Sequence, residues 1–256
     1  MRQANRIAMT EAYTEDALLG GRVRLRQPKT GYRVAIDPVL LAASVPAAAG
    51  EQVLDVGAGA AAAALCLAAR VADCRIFGVE IERELVRLAA ENVALNGLDG
   101  RVDVMLGELL RPPPRLAAGT FDHVMSNPPH LEAGRADPSP HAGKAAATVA
   151  ATDDLADWVD FCVKMAKRGG SITFIHRAER LAALLAHLTS KAGAIVVFPL
   201  WPDAAGSKPA KRVIVRAHKG MATPLRLAPG LALHGEGGAY TARAEAILRD
   251  AAALEL

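Results

Sequence analysis

One short segment in the first quarter of the chain has the residues to hold a charged ligand. The apolar run Val53-Leu54-Asp55-Val56 leads into two closely spaced glycines, in the order Gly57-Ala58-Gly59. Such a run predicts a buried strand that turns tightly into a helix, and the turn points backbone N–H groups at a ligand. The third glycine of the dinucleotide fingerprint G-x-G-x-x-G is absent. A carboxylate at Asp55 would repel a pyrophosphate and attract an ammonium or sulfonium centre. The segment therefore favours a ligand with a positive centre.

Two further acidic residues follow apolar runs along the chain. Glu80 ends the run Ile76-Phe77-Gly78-Val79, and Glu108 follows the run from Val102 to Leu106. A carboxylate accepts two hydrogen bonds from vicinal hydroxyls, so Glu80 suits a ribose diol. Glu108 could lie against an adenine amino group. The candidate ligand contacts in these two segments are Glu80, Ile81, Gly107, Glu108 and Leu109; plain strand-end charges remain the alternative for both acids.

A third apolar run ends in residues that could orient a planar nitrogen. Ser126-Asn127-Pro128-Pro129-His130 follows the run from Phe121 to Met125. If the Asn127 side-chain oxygen and the Pro128 carbonyl both accept hydrogens from one conjugated nitrogen, its lone pair is held towards an incoming group. Orientation and electrostatic placement then supply most of the rate gain. The alternative is a rigid turn in which asparagine bonds the local backbone.

These motifs need elements that bring them to one place. Apolar runs predict strands near 52–56, 75–80, 102–106, 121–126, 170–176, 194–200 and 211–217. Helices are predicted near 60–71, 82–96, 153–168 and 178–191, with another from 244 to 254. This alternation favours an α/β fold whose parallel sheet is covered on both faces, and ligands bind beyond the carboxyl ends of such strands. Before it, residues 21–27 predict a hairpin strand, and Asp37-Pro38 predicts the N-cap and first residue of a helix.

The motifs, in this order, resemble those of the Rossmann-like S-adenosylmethionine-dependent methyltransferases over residues 25 to 220. Within that superfamily, three further segments are similar to the bacterial tRNA (valine) adenine-N6 methyltransferases. These are Gln27-Pro28-Lys29-Thr30-Gly31-Tyr32-Arg33, Asp37-Pro38-Val39-Leu40-Leu41 and Arg212-Val213-Ile214-Val215-Arg216.

The resemblance implies a mostly parallel sheet of seven strands in residues 49–256, with an amino-terminal hairpin and helix extension in residues 1–48 that packs on this core. It implies S-adenosylmethionine as the cofactor and adds Tyr32 and Asp37 to its candidate contacts. It also implies an adenine nitrogen of tRNA as the methyl acceptor.

The chain departs from this family at the residue after the two prolines. The family usually has tyrosine or phenylalanine there, which stacks on the target ring, whereas this chain has His130. Imidazole offers less apolar area and can carry a charge near neutral pH. If the loop has instead lost one residue, another aromatic such as Tyr32, Trp201 or Tyr240 would have to stack on the target.

Three alternative functions stay open on the sequence. A protein glutamine-N5 methyltransferase would share the Asn-Pro-Pro turn, a small-molecule O-methyltransferase would need a metal or a general base, and a cofactor-binding protein would have no catalysis. Basic residues favour RNA, because phosphate contacts dominate RNA binding. The candidate RNA contacts are Arg22, Arg24, Lys29, Lys208, Lys211 and Arg212.

Composition limits the remaining possibilities. The 256 residues are 52% hydrophobic and carry a net charge of +3, which allows a sizeable core. The three cysteines are too few and too scattered for a disulfide framework or a CxxC metal site, so we expect no metal. The amino terminus has no apolar stretch that suits a signal peptide or a membrane span. We therefore expect a cytoplasmic protein without membrane contact, and a homodimer is plausible at this size.

Overall fold

The computed structural model describes residues 13–29, 33–129 and 155–256. The strands are β1 (Tyr13–Leu18), β2 (Val23–Pro28), β3 (Gln52–Val56), β4 (Arg75–Glu80), β5 (Val102–Leu106), β6 (Phe121–Ser126), β7 (Ala166–Arg177), β8 (Ala192–Asp203), β9 (Arg212–Lys219), β10 (Arg226–Leu227) and β11 (Leu231–His234). The α-helices are α1 (Asp37–Ser44), α2 (Ala62–Arg70), α3 (Arg83–Leu95), α4 (Leu155–Met165), α5 (Leu181–Leu188) and α6 (Ala242–Asp250). None of the helices in these ranges is long and apolar enough to cross a lipid bilayer.

The central sheet confirms the predicted α/β class. Its strand order is β10-β8-β9-β7-β6-β3-β4-β5, with β11 also paired to β8. Only β9 runs antiparallel to its neighbours, β7 and β8. The prediction of seven strands is too low, because the described residues form a sheet of nine. The two extra strands, β10 and β11, are short, and both pair with β8 at the edge of the sheet. Strands of two and four residues carry too little periodicity to be predicted from sequence.

Apolar residues pack on both faces of this sheet. Because successive side chains of a strand point to opposite faces, β3 places Val53 in one core and Leu54 and Val56 in the other. Helices α1, α2, α3 and α6 cover the first core, and α4 and α5 cover the second. Complete burial of a side chain such as Leu54 contributes about 1.5–3 kcal/mol. The two cores hold the carboxyl end of β3 rigidly between two layers of helices.

Several predicted helix ends differ from the structure by a few residues, and three of the differences have a local cause. The N-cap of α1 is Ile36, so Asp37 is the first helical residue and not the cap. Helix α4 ends at Met165, three residues early, because Ala166 already pairs with Phe121 of β6. Helix α6 ends at Asp250, because Ala251 adopts a left-handed conformation with φ of 60°. Helical periodicity in the sequence predicts neither the pairing of Ala166 with a distant strand nor the left-handed conformation of Ala251.

The amino-terminal hairpin of β1 and β2 is fastened to the rest of the molecule by two asparagines of α3. Asn92 and Asn96 accept hydrogen bonds from the backbone N–H groups of Arg26 and Arg24, each at 2.8 Å. The buried Asn92 amide also donates to the carbonyl of Ala60, at 3.0 Å. The hairpin is thereby connected, through one side chain, to the residues that follow the glycine turn.

Candidate active site

The glycine turn lies between β3 and α2 at the carboxyl edge of the sheet. Gly57 and Gly59 have φ of 74° and 55°, a left-handed conformation that glycine adopts without strain. The N–H groups of Gly57 and Ala58 donate to the carbonyl of Val79 at the end of β4, at 2.9 and 3.1 Å. The turn is therefore held against the neighbouring strand. The sequence predicted that its N–H groups would point at a ligand, whereas the structure bonds these two to the Val79 carbonyl.

Ala61, directly before α2, has an unusual conformation for its residue type. Its φ is 70°, and its side chain is fully buried. A left-handed conformation costs a residue with a Cβ about 1–2 kcal/mol. At position 61, two residues after Gly59, the backbone therefore has a conformation that suits glycine, but the residue there is alanine.

Asp55 lies buried under this turn and has one oxygen without a partner. Its side chain is 2% exposed, and its Oδ2 has no hydrogen bond within the described ranges. Burial raises the pKa of Asp55 to about 7, a backbone hydrogen bond from Ala64 opposes that rise, and the charge of Glu80 adds to it. An orphaned carboxylate oxygen at this position suits a ligand with a positive centre.

Glu80 lies against the glycine turn at the end of β4. Its Oε2 accepts from the N–H of Gly59 at 2.9 Å, and its Oε1 accepts from Ile81 and Glu82 at 2.8 and 2.9 Å. Burial raises the pKa of Glu80, and these three N–H groups work in the opposite direction. Since each carboxylate oxygen can accept two hydrogen bonds, Oε2 retains capacity for a hydroxyl.

The segment after β5 lies next to Glu80. The N–H of Gly107 donates to the carbonyl of Glu80 at 2.9 Å. A Cβ on Gly107 would lie only 2.5 Å from Pro113 and 2.8 Å from Val79, so only glycine fits there. Glu108 follows it and is half-buried, as is Leu109. Glu80 thus ends β4, and Glu108 follows two residues after the end of the neighbouring strand β5.

Asn127 lies beside the glycine turn from the other direction. Ser126 pairs in register with Val56, and its hydroxyl donates to the Val56 carbonyl at 2.8 Å. The next side-chain oxygen, Oδ1 of Asn127, is buried and has no hydrogen-bond partner in the described part of the chain. Pro128 is buried and Pro129 exposed. A buried acceptor without a partner costs about 1–3 kcal/mol, which a donor hydrogen of a bound molecule would recover.

Three predicted site residues remain, of which only Asp37 is described by the structure. Tyr32 and His130 lie outside the described residues, as does the predicted loop 131–151. The Asp37 carboxylate accepts from Nε of Arg212 at 2.9 Å, which joins the start of α1 to the start of β9. The structure therefore gives Asp37 an ion pair in place of the predicted helix cap.

Trp158 of α4 is a site residue that the sequence analysis missed. A Cβ on Gly57 would lie 2.7 Å from Cη2 and 3.0 Å from Cζ3 of the Trp158 ring, so the indole lies directly against the glycine turn. Of the three aromatics considered from sequence, Tyr32 lies outside the described residues. The other two are engaged elsewhere: Trp201 donates to the carbonyl of Pro229 at 2.9 Å, and Tyr240 stacks on His234 with ring centroids 4.7 Å apart. Only tertiary packing brings Trp158 to the turn.

The acceptor oxygens of this site fit a nucleoside cofactor with a positive centre. Oδ2 of Asp55 and Oδ1 of Asn127 are buried acceptors without a partner in the described part of the chain, and Glu80 has remaining acceptor capacity. Within the described residues, no group of three or more histidine, cysteine, aspartate or glutamate side chains could hold a metal ion.

A family model and two relatives that match this chain are named as methyltransferases. The family model "Methyltransferase small domain" matches residues 33–148. A tRNA1(Val) (adenine(37)-N6)-methyltransferase from Aeromonas salmonicida is 29% identical over 217 residues, which are 84% of this chain and 88% of the relative. A protein of the same name from Shewanella sp. is 27% identical over 223 residues, covering 86% and 92%.

A solved structure shows the same fold. It is named as a predicted O-methyltransferase from Agrobacterium tumefaciens, and it is 24% identical to this chain, with a TM-score of 0.72 over 86% of this chain and 99% of its own. Together with the site, these comparisons identify the class: the chain is an S-adenosylmethionine-dependent methyltransferase. S-adenosylmethionine is accordingly its cofactor, and both described relatives are named as tRNA adenine-N6 methyltransferases.

Proposed function

We propose that this methyltransferase transfers a methyl group to the exocyclic nitrogen of an adenine in tRNA. The observation that carries the proposal is Oδ1 of Asn127, which is buried beside the glycine turn and has no hydrogen-bond partner among the described residues. The names of the Aeromonas and Shewanella relatives support adenine in tRNA as the acceptor.

The chemistry of the acceptor explains why an unpartnered oxygen is needed. The adenine amino group is planar and conjugated, so it is a poor nucleophile, and it carries two hydrogens. Oδ1 of Asn127 and the carbonyl of Pro128 accept one hydrogen each and hold the nitrogen lone pair towards the methyl group. S-adenosylmethionine supplies that group as an electrophile on a sulfonium. The nitrogen, once alkylated, is acidic and loses its proton to water, so orientation rather than a strong base provides the rate gain.

The cofactor would lie along the edge formed by β3, β4 and β5. Glu80 would accept one ribose hydroxyl through Oε2, and the turn from Gly57 to Gly59 would border the polar chain of the cofactor. Asp55 would stabilise its positive centre, and the segment Gly107-Glu108-Leu109 would border the adenine. Ile81 contributes apolar contact beside Glu80.

Two substitutions separate the two halves of this assignment. Asn127→Ala is expected to lower methyl transfer into unmodified tRNA by 10²-fold or more, on the order of what one lost oriented group costs, with the cofactor Kd unchanged. Glu80→Ala is expected to weaken cofactor binding by about 10- to 100-fold, because hydrogen bonds to a charged group contribute about 1.5–3 kcal/mol. Transfer from labelled cofactor and calorimetry measure the two effects.

A matched control is available beside Glu80. Glu82 is an exposed carboxylate two residues further on, so Glu82→Ala should leave cofactor affinity within about twofold. Equal loss of cofactor affinity in the Asn127 and Glu80 variants would contradict this division of roles. Label that appears in protein glutamine, and not in tRNA, would favour the glutamine-N5 reaction instead.

A further inference from the structure

Exposed cations lie beyond the site, where β7 ends and β9 begins. Arg177 of β7 pairs in register with Arg212 of β9, and the N–H of Ala178 donates to the Lys211 carbonyl at 3.1 Å. This brings Lys211 next to the 3-10 turn that contains Arg180. Lys208 lies in the loop between β8 and β9. Arg180, Lys208 and Lys211 are all exposed, and we refer to them as the cationic rim.

The cationic rim is close to Asn127. The strand order β6-β7-β9 places the start of β9 two strands from the end of β6, which is about 10 Å at the usual strand spacing. Ser126 is in register with Phe174, which pairs with Val215. Arg212 therefore lies two residues, or about 7 Å, beyond the level of Asn127. A strand whose base enters the site must pass this rim.

Carboxylates of the protein pair with the arginines around the cationic rim more closely than with the rim residues themselves. Among the described residues, Arg177 pairs with Glu179 and Arg212 with Asp37. Arg180 and Lys211 have no carboxylate within ion-pair distance in the same ranges. Lys208 attracts the Asp203 carboxylate at longer range, but that carboxylate is already hydrogen-bonded by the backbone and hydroxyl of Ser207.

The basic residues of the hairpin are bound to groups of the protein itself. Arg24 and Arg26 both bind Glu15 and hold the pKa of that carboxyl below its usual value. The Arg22 guanidinium is hydrogen-bonded to the carbonyls of Leu19 and Arg249. The Arg24 backbone contacts Asn96, at the far end of α3 from the site.

We infer that the cationic rim of Arg180, Lys208 and Lys211 binds the RNA backbone on either side of the target adenine, and that the hairpin arginines do not. The inference rests on the proposed RNA substrate and specifies which surface receives it. Cations with few internal partners can exchange counterions for phosphates, whereas those bound to Glu15 must first lose that pair.

Salt dependence of RNA binding tests this surface. Each lost phosphate contact lowers the slope of log K against log salt by about 0.7–0.9, and at about 0.15 M salt this amounts to roughly four- to fivefold in affinity. The triple variant Arg180→Ala/Lys208→Ala/Lys211→Ala should therefore bind unmodified tRNA roughly a hundredfold more weakly, with a slope reduced by about 2–3. Its KM for tRNA should rise while kcat at saturating tRNA stays within about twofold.

The matched control is the triple variant Arg22→Ala/Arg24→Ala/Arg26→Ala, which removes the same formal charge. It should change the slope by less than one unit. Unchanged S-adenosylmethionine affinity by calorimetry shows that each variant is folded. If the wild type methylates tRNA and only the hairpin variant loses affinity, the inference is wrong and the proposed function stands. If the wild type methylates protein and no RNA, both are wrong.

Discussion

The buried carboxyl of Asp55 should make both stability and cofactor binding depend on pH. Burial raises its pKa from 3.8 to about 7. The folded state therefore keeps a proton that the unfolded state has lost, so this stability is fully present below pH 3.8 and is lost as the pH rises through 7. Since a change of one in pKa corresponds to 1.36 kcal/mol, ionisation of Asp55 in the free protein costs roughly 4 kcal/mol at pH 8. The substitution Asp55→Asn removes that cost.

Urea denaturation of the cofactor-free protein between pH 5 and pH 8 measures the effect. Asp55→Asn should flatten the fall in unfolding free energy with pH and make the variant the more stable protein at pH 8. Binding of a cationic cofactor favours the ionised carboxylate, so the wild type should release a proton near pH 6.5 on binding, seen by calorimetry in buffers of different ionisation enthalpy. The variant should release fewer protons and bind more weakly. A variant less stable at pH 8 than the wild type, with the same pH dependence, would refute the reasoning.

Two backbone predictions concern the glycine turn and the start of α2. Gly57→Ala should lower the unfolding free energy by about 2–5 kcal/mol, because the new Cβ takes a left-handed conformation and meets the Trp158 ring. Gly97 is also left-handed but has open space around it, so Gly97→Ala should cost only about 1–2 kcal/mol. Equal losses of unfolding free energy in urea denaturation would argue against the Trp158 contact. Ala61→Gly should be nearly neutral, because relief of strain offsets the lost methyl group, and Ala63→Gly within α2 should cost at least about 1 kcal/mol more. A loss in Ala61→Gly as large as that in Ala63→Gly would count against strain at Ala61.

The inner part of the fold could be predicted from sequence because its strands are buried on both sides. The predicted ranges 52–56, 75–80, 102–106 and 121–126 match β3 to β6 residue for residue. Continuous apolar runs bounded by glycine, proline or polar residues are typical of such strands. Parallel order then brings Asp55, Glu80, Glu108 and Asn127 to one edge of the sheet.

The rest of the site depends on contacts between residues distant in the chain. The indole of Trp158 reaches Gly57 only after α4 packs on the sheet. The ion pair between Asp37 and Arg212 joins residues 175 positions apart. Likewise, the alternating charges of β2 indicate basic residues but not that Glu15 neutralises two of them. Local periodicity contains none of these pairings, so the sequence predicted which residues are basic and not which are free to bind RNA.

The most direct test of the proposed function is mass spectrometry of nucleosides from unmodified tRNA after incubation with the purified protein and methyl-labelled S-adenosylmethionine. We expect labelled N6-methyladenosine, and its loss in Asn127→Ala. Cofactor binding with label only in protein, or in no acceptor at all, would contradict adenine methylation in tRNA.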